Sequence, residues 1–156
     1  MTYRPGGFDL LSDCLKRQTY KNYELIVVGN EDGKTILNTW SDDNPDRFSG
    51  RHSFTTELGG NIPVEVSTVK LDTFVKENGT RVDFIKMDVE GWEWEVVKGA
   101  DNLIRTQKPK MIIEIHTALC QNNLETYFSA CNIPYRMIKS GIPDIGHVSS
   151  YMVVNF

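Results

Sequence analysis

The chain contains 156 residues, of which 17 are Lys or Arg and 21 are Asp or Glu, so its formal net charge is −4. This length predicts one domain over residues 1–156, and the acidic balance excludes the basic surface typical of nucleic-acid-binding proteins. No apolar run reaches the roughly 20 residues that a membrane-spanning helix requires, and the first residues lack the apolar segment of a secretory signal. Cys14, Cys120 and Cys131 have no metal-ligand spacing, which favours free thiols in a reducing compartment, and we expect a cytoplasmic protein.

The first half of the chain predicts one helix, one buried strand and an irregular region that contains two further strands. Apolar residues recur at helical spacing over residues 8–18, which predicts a helix. A short apolar run at 24–28 predicts a buried strand. Candidate strands at 34–40 and 64–69 flank a polar, glycine-containing loop that is longer than most loops in compact domains.

The second half of the chain alternates strands with helices in a clear rhythm. The predicted elements are a short helix from Leu71 to a stop at Asn78-Gly79, a strand at 82–87, a helix at about 92–106, a strand at 111–115, a helix at about 121–131, and strands at 135–138 and 151–154. Continuous apolar strands that alternate with helices indicate an α/β fold with a largely parallel sheet.

Polar side chains follow two of the buried strands at the point where each strand ends. Asp88 closes the strand at 82–87, with Glu90 two residues later, and His116 closes the strand at 111–115, with Glu114 two residues before it. Ligands of open α/β sheets bind outside the carboxyl ends of the strands, and neighbouring strands lie about 5 Å apart. We therefore expect Asp88 and either Glu114 or His116 to share one ligand.

Each of these residues also has a purely structural interpretation. Asp is a preferred capping residue, so Asp88 could cap the helix that follows, while Glu90 and Glu93 could only complement the dipole of that helix. His116 is either a base or ligand contact near neutral pH, or a histidine satisfied by its local neighbours. Glu114 lies within an apolar strand, where a carboxylate must be paired or must face the edge of the sheet.

Residues 69–116 carry three segments that resemble the C-terminal half of FkbM-type methyltransferases. The segments are VKLDTF, VDFIKMDVEGWEWEVVKGA and PKMIIEIH. The family pattern is a Leu-Asp pair before a helix, an Asp-Phe-Ile-Lys-x-Asp-x-Glu-Gly turn from strand to helix, a Lys-Gly-Ala, and a strand that ends near Glu-x-His. The turn at residues 29–33 is also similar to the one after the third strand of these proteins, so the resemblance covers about residues 24–156.

This resemblance implies a Rossmann-like class I methyltransferase fold, with a mostly parallel sheet and an antiparallel C-terminal strand. It also implies S-adenosylmethionine as the methyl donor and O-methylation of a hydroxyl on a sugar or sugar-bearing product, as in polysaccharide biosynthesis. The matched motif positions are Asp88, Glu90, Gly91, Glu114 and His116. We expect Asp88 or His116 to act as the base, and Glu90, Gly91, Trp92 and Glu114 to contact the substrate. No metal ligand is assigned, although Asp88, Glu90 and Glu114 supply the hard oxygen atoms that a divalent cation would need.

The same resemblance defines what the sequence lacks. Such methyltransferases begin with a strand that ends in an acidic-x-Gly-x-Gly loop beneath the donor, and a second strand ends in a carboxylate for the ribose. Neither feature precedes residue 24, so we expect an N-terminally truncated domain with weak or absent donor binding. Unpaired strand edges and exposed apolar faces are unfavourable, so a partner domain or a second copy is expected to cover the sheet.

Residues 2–28 are similar to the opening of family 2 glycosyltransferases. The similarity consists of Thr2-Tyr3-Arg4-Pro5, a leucine-rich helix and a Gln-Thr-Tyr before a strand. The acidic pair that follows this strand in those enzymes is replaced here by Gly29-Asn30. Two alternatives to a methyltransferase therefore stay open, namely a glycosyltransferase remnant that binds a nucleotide sugar and a non-catalytic truncated module.

Overall fold

A computed structural model of the chain describes residues 27–39, 62–139 and 150–156. The predicted helix at 8–18, most of the predicted strand at 24–28 and the long polar loop lie outside these described residues. In chain order the described elements are β1 (Val28–Gly29), β2 (Gly33–Thr39), β3 (Ile62–Lys70), α1 (Leu71–Asn78), β4 (Phe84–Met87), α2 (Glu93–Lys98), α3 (Asp101–Gln107), β5 (Lys110–Ile115), α4 (Ala118–Ala130), β6 (Tyr135–Lys139) and β7 (Ser150–Val154). Within these ranges, no helix has the length and apolar character needed to cross a membrane.

The described strands form two sheets. One has the order β1-β3-β2, in which β1 is parallel and β2 antiparallel to β3. The other has the order β4-β5-β7-β6, in which β4 and β5 are parallel and β7 is antiparallel to both β5 and β6. Three of these four strands therefore run in one direction and β7 runs against them, which confirms the predicted α/β fold with an antiparallel C-terminal strand.

The hydrophobic core lies between the four-stranded sheet and the helices that follow β4 and β5. Val97 of α2, Ala100 between the two helices, and Leu103 and Ile104 of α3 are at most 1% exposed. They pack in one core with four sheet residues, namely Met111, Ile113, Met152 and Val154. Two residues of α4, Leu124 and Phe128, belong to the same core. Full burial of a large apolar side chain contributes about 1.5–3 kcal/mol, so this layer holds the helices against β5 and β7.

The predicted helix at 92–106 is wrong in one respect, because it is interrupted at Gly99-Ala100 and forms two short helices. The carboxylate of Asp72 accepts hydrogen bonds from the backbone amides of Asn102 (2.9 Å) and Leu103 (2.7 Å), and so caps a new helix start. The carbonyl of Gly99 in turn accepts a hydrogen bond from the Asp72 amide at 2.9 Å. A residue 30 positions away in sequence therefore ends one helix and begins the next.

The predicted helix at about 121–131 begins three residues earlier than expected, at Ala118. Its N-cap is Thr117, whose hydroxyl accepts a hydrogen bond from the amide of Cys120 at 3.1 Å. Thr is a preferred N-cap residue, and the helix starts directly after the strand-end residue His116. The short connection holds α4 close to the carboxyl end of β5.

Candidate functional site

Asp88 and His116 meet at the carboxyl ends of β4 and β5, as the sequence predicts. The two strands are parallel, with Met87 opposite Ile113, so the residues that follow them project from one edge of the sheet. Nε2 of His116 lies 3.7 Å from Oδ1 of Asp88. We refer to Lys86, Asp88, Glu90, Glu93, Glu114 and His116 as the carboxyl-end cluster.

Asp88 does not cap the helix that follows it, so that structural interpretation is wrong. The N-cap of α2 is Trp92, whose side chain makes no capping hydrogen bond. Oδ2 of Asp88 instead accepts a hydrogen bond from Nζ of Lys86 at 2.6 Å. The same ammonium group lies 3.9 Å from Oε2 of Glu114, which is therefore paired at the edge as its place in an apolar strand requires.

The turn between β4 and α2 has an unusual backbone. Glu90 and Gly91 both have positive φ angles, 49° and 93°, and the amide of Trp92 donates a hydrogen bond to the carbonyl of Val89 at 3.2 Å. Positive φ favours glycine at position 91, whereas at Glu90 it costs about 1–2 kcal/mol. This turn directs Glu90 back towards the strand ends, and its Oε2 lies 3.6 Å from Nε2 of His116.

Glu93 is the residue of the cluster whose role the sequence interpretation missed. Its side chain is fully buried, whereas a residue that only complements a helix dipole would be exposed. Its Oε1 lies 2.6 Å from Nδ1 of His116, and its Oε2 accepts a hydrogen bond from the thiol of Cys120 at 3.1 Å. A usable signal is present in the sequence, because Glu93 precedes Val96 and Val97 by three and four positions and so shares their buried helical face.

The amide of Gly91 donates a further hydrogen bond of 2.9 Å to Oε1 of Glu93, so this matched motif residue supports Glu93. Trp92 is half-buried against the core, and its indole nitrogen lies beside Gly29 of β1, 3.7 Å from where a side chain there would begin. Trp92 thus links the two sheets, and its contact with a substrate ring stays a prediction.

Burial and hydrogen bonding act in opposite directions on the titratable groups of the cluster. Burial lowers the pKa of His116, but the hydrogen bond to Glu93 and the charges of Glu93, Glu90 and Asp88 outweigh it, so the pKa is raised. Burial raises the pKa of Glu93, but hydrogen bonds from His116, Cys120 and the Gly91 amide reverse this, so the pKa is lowered. Burial and the neighbouring Glu93 raise the pKa of the Cys120 thiol, which keeps it protonated as a hydrogen-bond donor.

The cluster offers side-chain atoms that could hold a cation or a polar substrate. One ligand atom each from Asp88, Glu114 and His116 lies within 4.8 Å of the other two. Lys86 already supplies a positive charge at Asp88 and near Glu114, so we assign no metal to these residues. The donor-binding residues also stay unassigned, because the sequence contains no acidic-x-Gly-x-Gly loop.

Comparison with known proteins places this geometry in a family. A search of curated protein sequences gives no match. The crystal structure of the methyltransferase FkbM from Methylobacillus flagellatus is similar to this chain, with 19% sequence identity and a TM-score of 0.58. The alignment covers 94% of this chain and 33% of that structure, so the chain spans about one third of its length. This likeness confirms the predicted Rossmann-like fold.

A family model described as the methyltransferase FkbM domain matches residues 7–152. The match begins earlier than the resemblance at 24–156 and includes most of the segment at 2–28 that is similar to glycosyltransferases. Because the match extends over nearly the whole chain, and because the strand-end motifs form one cluster in the structure, this chain belongs to the FkbM methyltransferase domain family.

Proposed function

We propose that this chain acts in the S-adenosylmethionine-dependent O-methylation of a hydroxyl group on a sugar or sugar-bearing product. Membership of the methyltransferase family supports the reaction class. The observation that carries the proposal is the convergence of Asp88 and His116, 3.7 Å apart, at the carboxyl ends of two parallel strands. In an open α/β sheet this is the edge at which ligands bind.

The cluster contains the groups that methylation of a hydroxyl requires. A bound S-adenosylmethionine would supply an electrophilic methyl group, which would bond to the acceptor oxygen as its bond to sulfur breaks and S-adenosylhomocysteine leaves. The enzyme must align the acceptor oxygen with this methyl group and accept the hydroxyl proton. His116 and Asp88 are the two candidate proton acceptors. Glu114 and Glu90 border the same edge, where their carboxylates are placed to accept hydrogen bonds from neighbouring hydroxyls of a polyol such as a sugar.

The electrostatics of the cluster also favour a neutral, hydroxyl-rich acceptor. Asp88, Glu90, Glu93 and Glu114 carry four negative charges, which Lys86 and a protonated His116 only partly balance. An anionic acceptor would therefore be repelled, whereas hydroxyl groups can donate hydrogen bonds to the carboxylates. A carbohydrate acceptor fits this arrangement.

An assay with isotopically labelled S-adenosylmethionine tests the proposed function. The protein is incubated with millimolar donor and a panel of mono- and oligosaccharides, and label in the carbohydrate fraction is measured. We expect label to appear in a carbohydrate product that contains a methyl ether. Glycosyl transfer from a UDP-sugar under the same conditions, with no methyl transfer, would favour a glycosyltransferase remnant and contradict the proposal.

A further inference from the structure

We propose that His116, and not Asp88, accepts the acceptor's proton, and that Glu93 is the positioning residue that holds His116 for this task. The inference rests on the proposed function, since it names the base of the same reaction. It is drawn from the buried contacts of Glu93, a residue that is not among the five matched motif positions given above. Glu93 touches no substrate and acts through the imidazole ring.

The contacts of Glu93 determine which ring nitrogen of His116 carries the proton. A carboxylate only accepts hydrogen bonds, so Nδ1 of His116 must donate to Glu93 across the 2.6 Å contact. The amide of Gly91 and the thiol of Cys120 also donate to Glu93, and both contacts stabilise its ionised form. With the proton on Nδ1, the neutral ring has its lone pair on Nε2.

Nε2 of His116 is the atom that faces the edge where an acceptor binds. It lies 3.7 Å from Asp88 and 3.6 Å from Glu90, beyond the distance of a good hydrogen bond to either oxygen. The side chain is only 5% exposed, so the ring has little freedom to rotate. A hydroxyl that binds beside Nε2 and Asp88, within hydrogen-bond distance of both, therefore meets a fixed lone pair.

Asp88 is the weaker of the two candidate bases. One of its oxygens accepts a hydrogen bond of 2.6 Å from the ammonium group of Lys86, and its side chain is 39% exposed. That oxygen is therefore already occupied by a cation of the protein, whereas Nε2 of His116 has no such contact from Lys86. A general base works best when its pKa is near the working pH, which favours imidazole.

The groups around His116 also stabilise the imidazolium that forms when the proton arrives. Glu93 from α2 contacts Nδ1, while Asp88 and Glu90 lie near Nε2. Cys120 of α4 donates a hydrogen bond to Glu93 and stays neutral. Lys86 of β4 is the nearby cation, and it pairs with Asp88 and lies close to Glu114 of β5. The net raised pKa of His116 agrees with this balance.

Nitrogen-15 NMR of the full chain tests the orientation without requiring activity. Above the pKa of His116, we expect a pyrrole-type signal from Nδ1 and a pyridine-type signal from Nε2, with the other two histidines as internal references. In Glu93→Gln the pKa of His116 should fall, and the Nε2-protonated form should appear. The matched control is Glu95→Gln, because Glu95 lies on the same helix but pairs with Lys98 at 2.6 Å.

Kinetics then test the positioning role. Glu93→Gln should lower kcat by about 10²-fold or more with little change in KM, and should move the acidic limb of the pH–rate profile to lower pH. Glu93→Asp, which keeps the charge, should restore part of kcat, and circular dichroism verifies that each variant is folded. A structural role alone would not move the pH profile in a folded variant.

The possible failures can be distinguished. If His116 in the unaltered chain carries its neutral-state proton on Nε2, or if its pKa is the same in Glu93→Gln and Glu95→Gln, the positioning role is wrong. If the predicted tautomer is present but the protein transfers no methyl group to any acceptor, the orientation stands and the proposed function fails. If transfer occurs and Glu93→Gln keeps the kcat and pH profile of Glu95→Gln, His116 is not the base that Glu93 positions.

Discussion

Replacing Gly99 with Ala tests the contact that joins β1 to the end of α2. Gly99 has φ −72° and ψ −5°, an ordinary helical conformation that alanine adopts readily. Helix propensity alone therefore predicts that Gly99→Ala stabilises the protein by up to about 1 kcal/mol. The structure predicts the opposite sign, because a Cβ at this position would lie 2.1 Å from the carbonyl oxygen of Gly29.

The size of the effect follows from what must move. The next atoms that the new Cβ would meet are the carbonyl carbon of Gly29 at 3.1 Å and Cα of Asn30 at 3.4 Å, so the obstacle is backbone rather than a flexible side chain. Such overpacking costs about 3 kcal/mol at the upper end of its usual range, and the propensity gain offsets about 1 kcal/mol. We expect a net loss of about 2 kcal/mol, or about 1 M in the urea midpoint for a slope near 2 kcal/mol/M.

Gly79→Ala is the matched comparison. Gly79 has φ 59°, but a Cβ there would meet no atom within 4 Å, so only backbone strain of about 1 kcal/mol is expected. Urea denaturation monitored by circular dichroism, with equal slopes for all variants, measures both changes. If Gly99→Ala is as stable as the unaltered chain or more stable, the described packing of β1 against α2 is wrong.

Two further predictions concern stability. Asp72→Ala should lower the free energy of unfolding by about 1 kcal/mol, because it removes the cap of α3, and Asp72→Asn should restore most of this loss. Urea denaturation measures both variants, and an equal loss in both would contradict the capping role. The pKa of Glu93 is lower in the folded protein than its ordinary value of 4.5, so its ionised form stabilises the fold at pH values above 4.5. This stabilisation is lost as the pH falls through the lowered pKa. The pKa of His116 is higher in the folded protein than its ordinary value of 6.5, so its protonated form stabilises the fold at pH values below 6.5. This stabilisation is lost as the pH rises through the raised pKa. Glu93→Gln should therefore lower the free energy of unfolding by about 1–3 kcal/mol, and the loss should be largest between pH 4.5 and 6.5. Urea denaturation at several pH values measures this loss, and a loss that does not change with pH would contradict the ion pair.

The site could be predicted from the sequence where it depends on strand order. Asp88 and His116 each follow a continuous apolar run, and parallel neighbours bring such positions to one edge. The stop of α1 was equally local, because Gly79 takes the positive φ that ends a helix. These features need only periodicity and residue type.

Other features depend on partners that are distant in the sequence. The break at Gly99 requires the side chain of Asp72 and the backbone of Gly29, neither of which leaves a signal in the helical pattern itself. The role of Glu93 depends on His116, 23 positions later, and an acidic residue in the first turn of a helix already has a sufficient local explanation. The local sequence pattern therefore failed at the two places where the structure depends on contacts between residues that are distant in the sequence.

Methyl transfer by Asp88→Asn measures the central claim most directly, namely that the carboxyl-end cluster is the acceptor site of a methyltransferase. The control is Asp83→Asn, since Asp83 precedes the same strand at its other end, is exposed and pairs with Arg81. We predict that the unaltered chain and Asp83→Asn transfer label from S-adenosylmethionine to carbohydrate at similar rates. Asp88→Asn should remain folded but transfer label at least about 10-fold more slowly, because it removes a charge that stabilises the imidazolium of His116 beside the acceptor. Full transfer by Asp88→Asn would contradict the account.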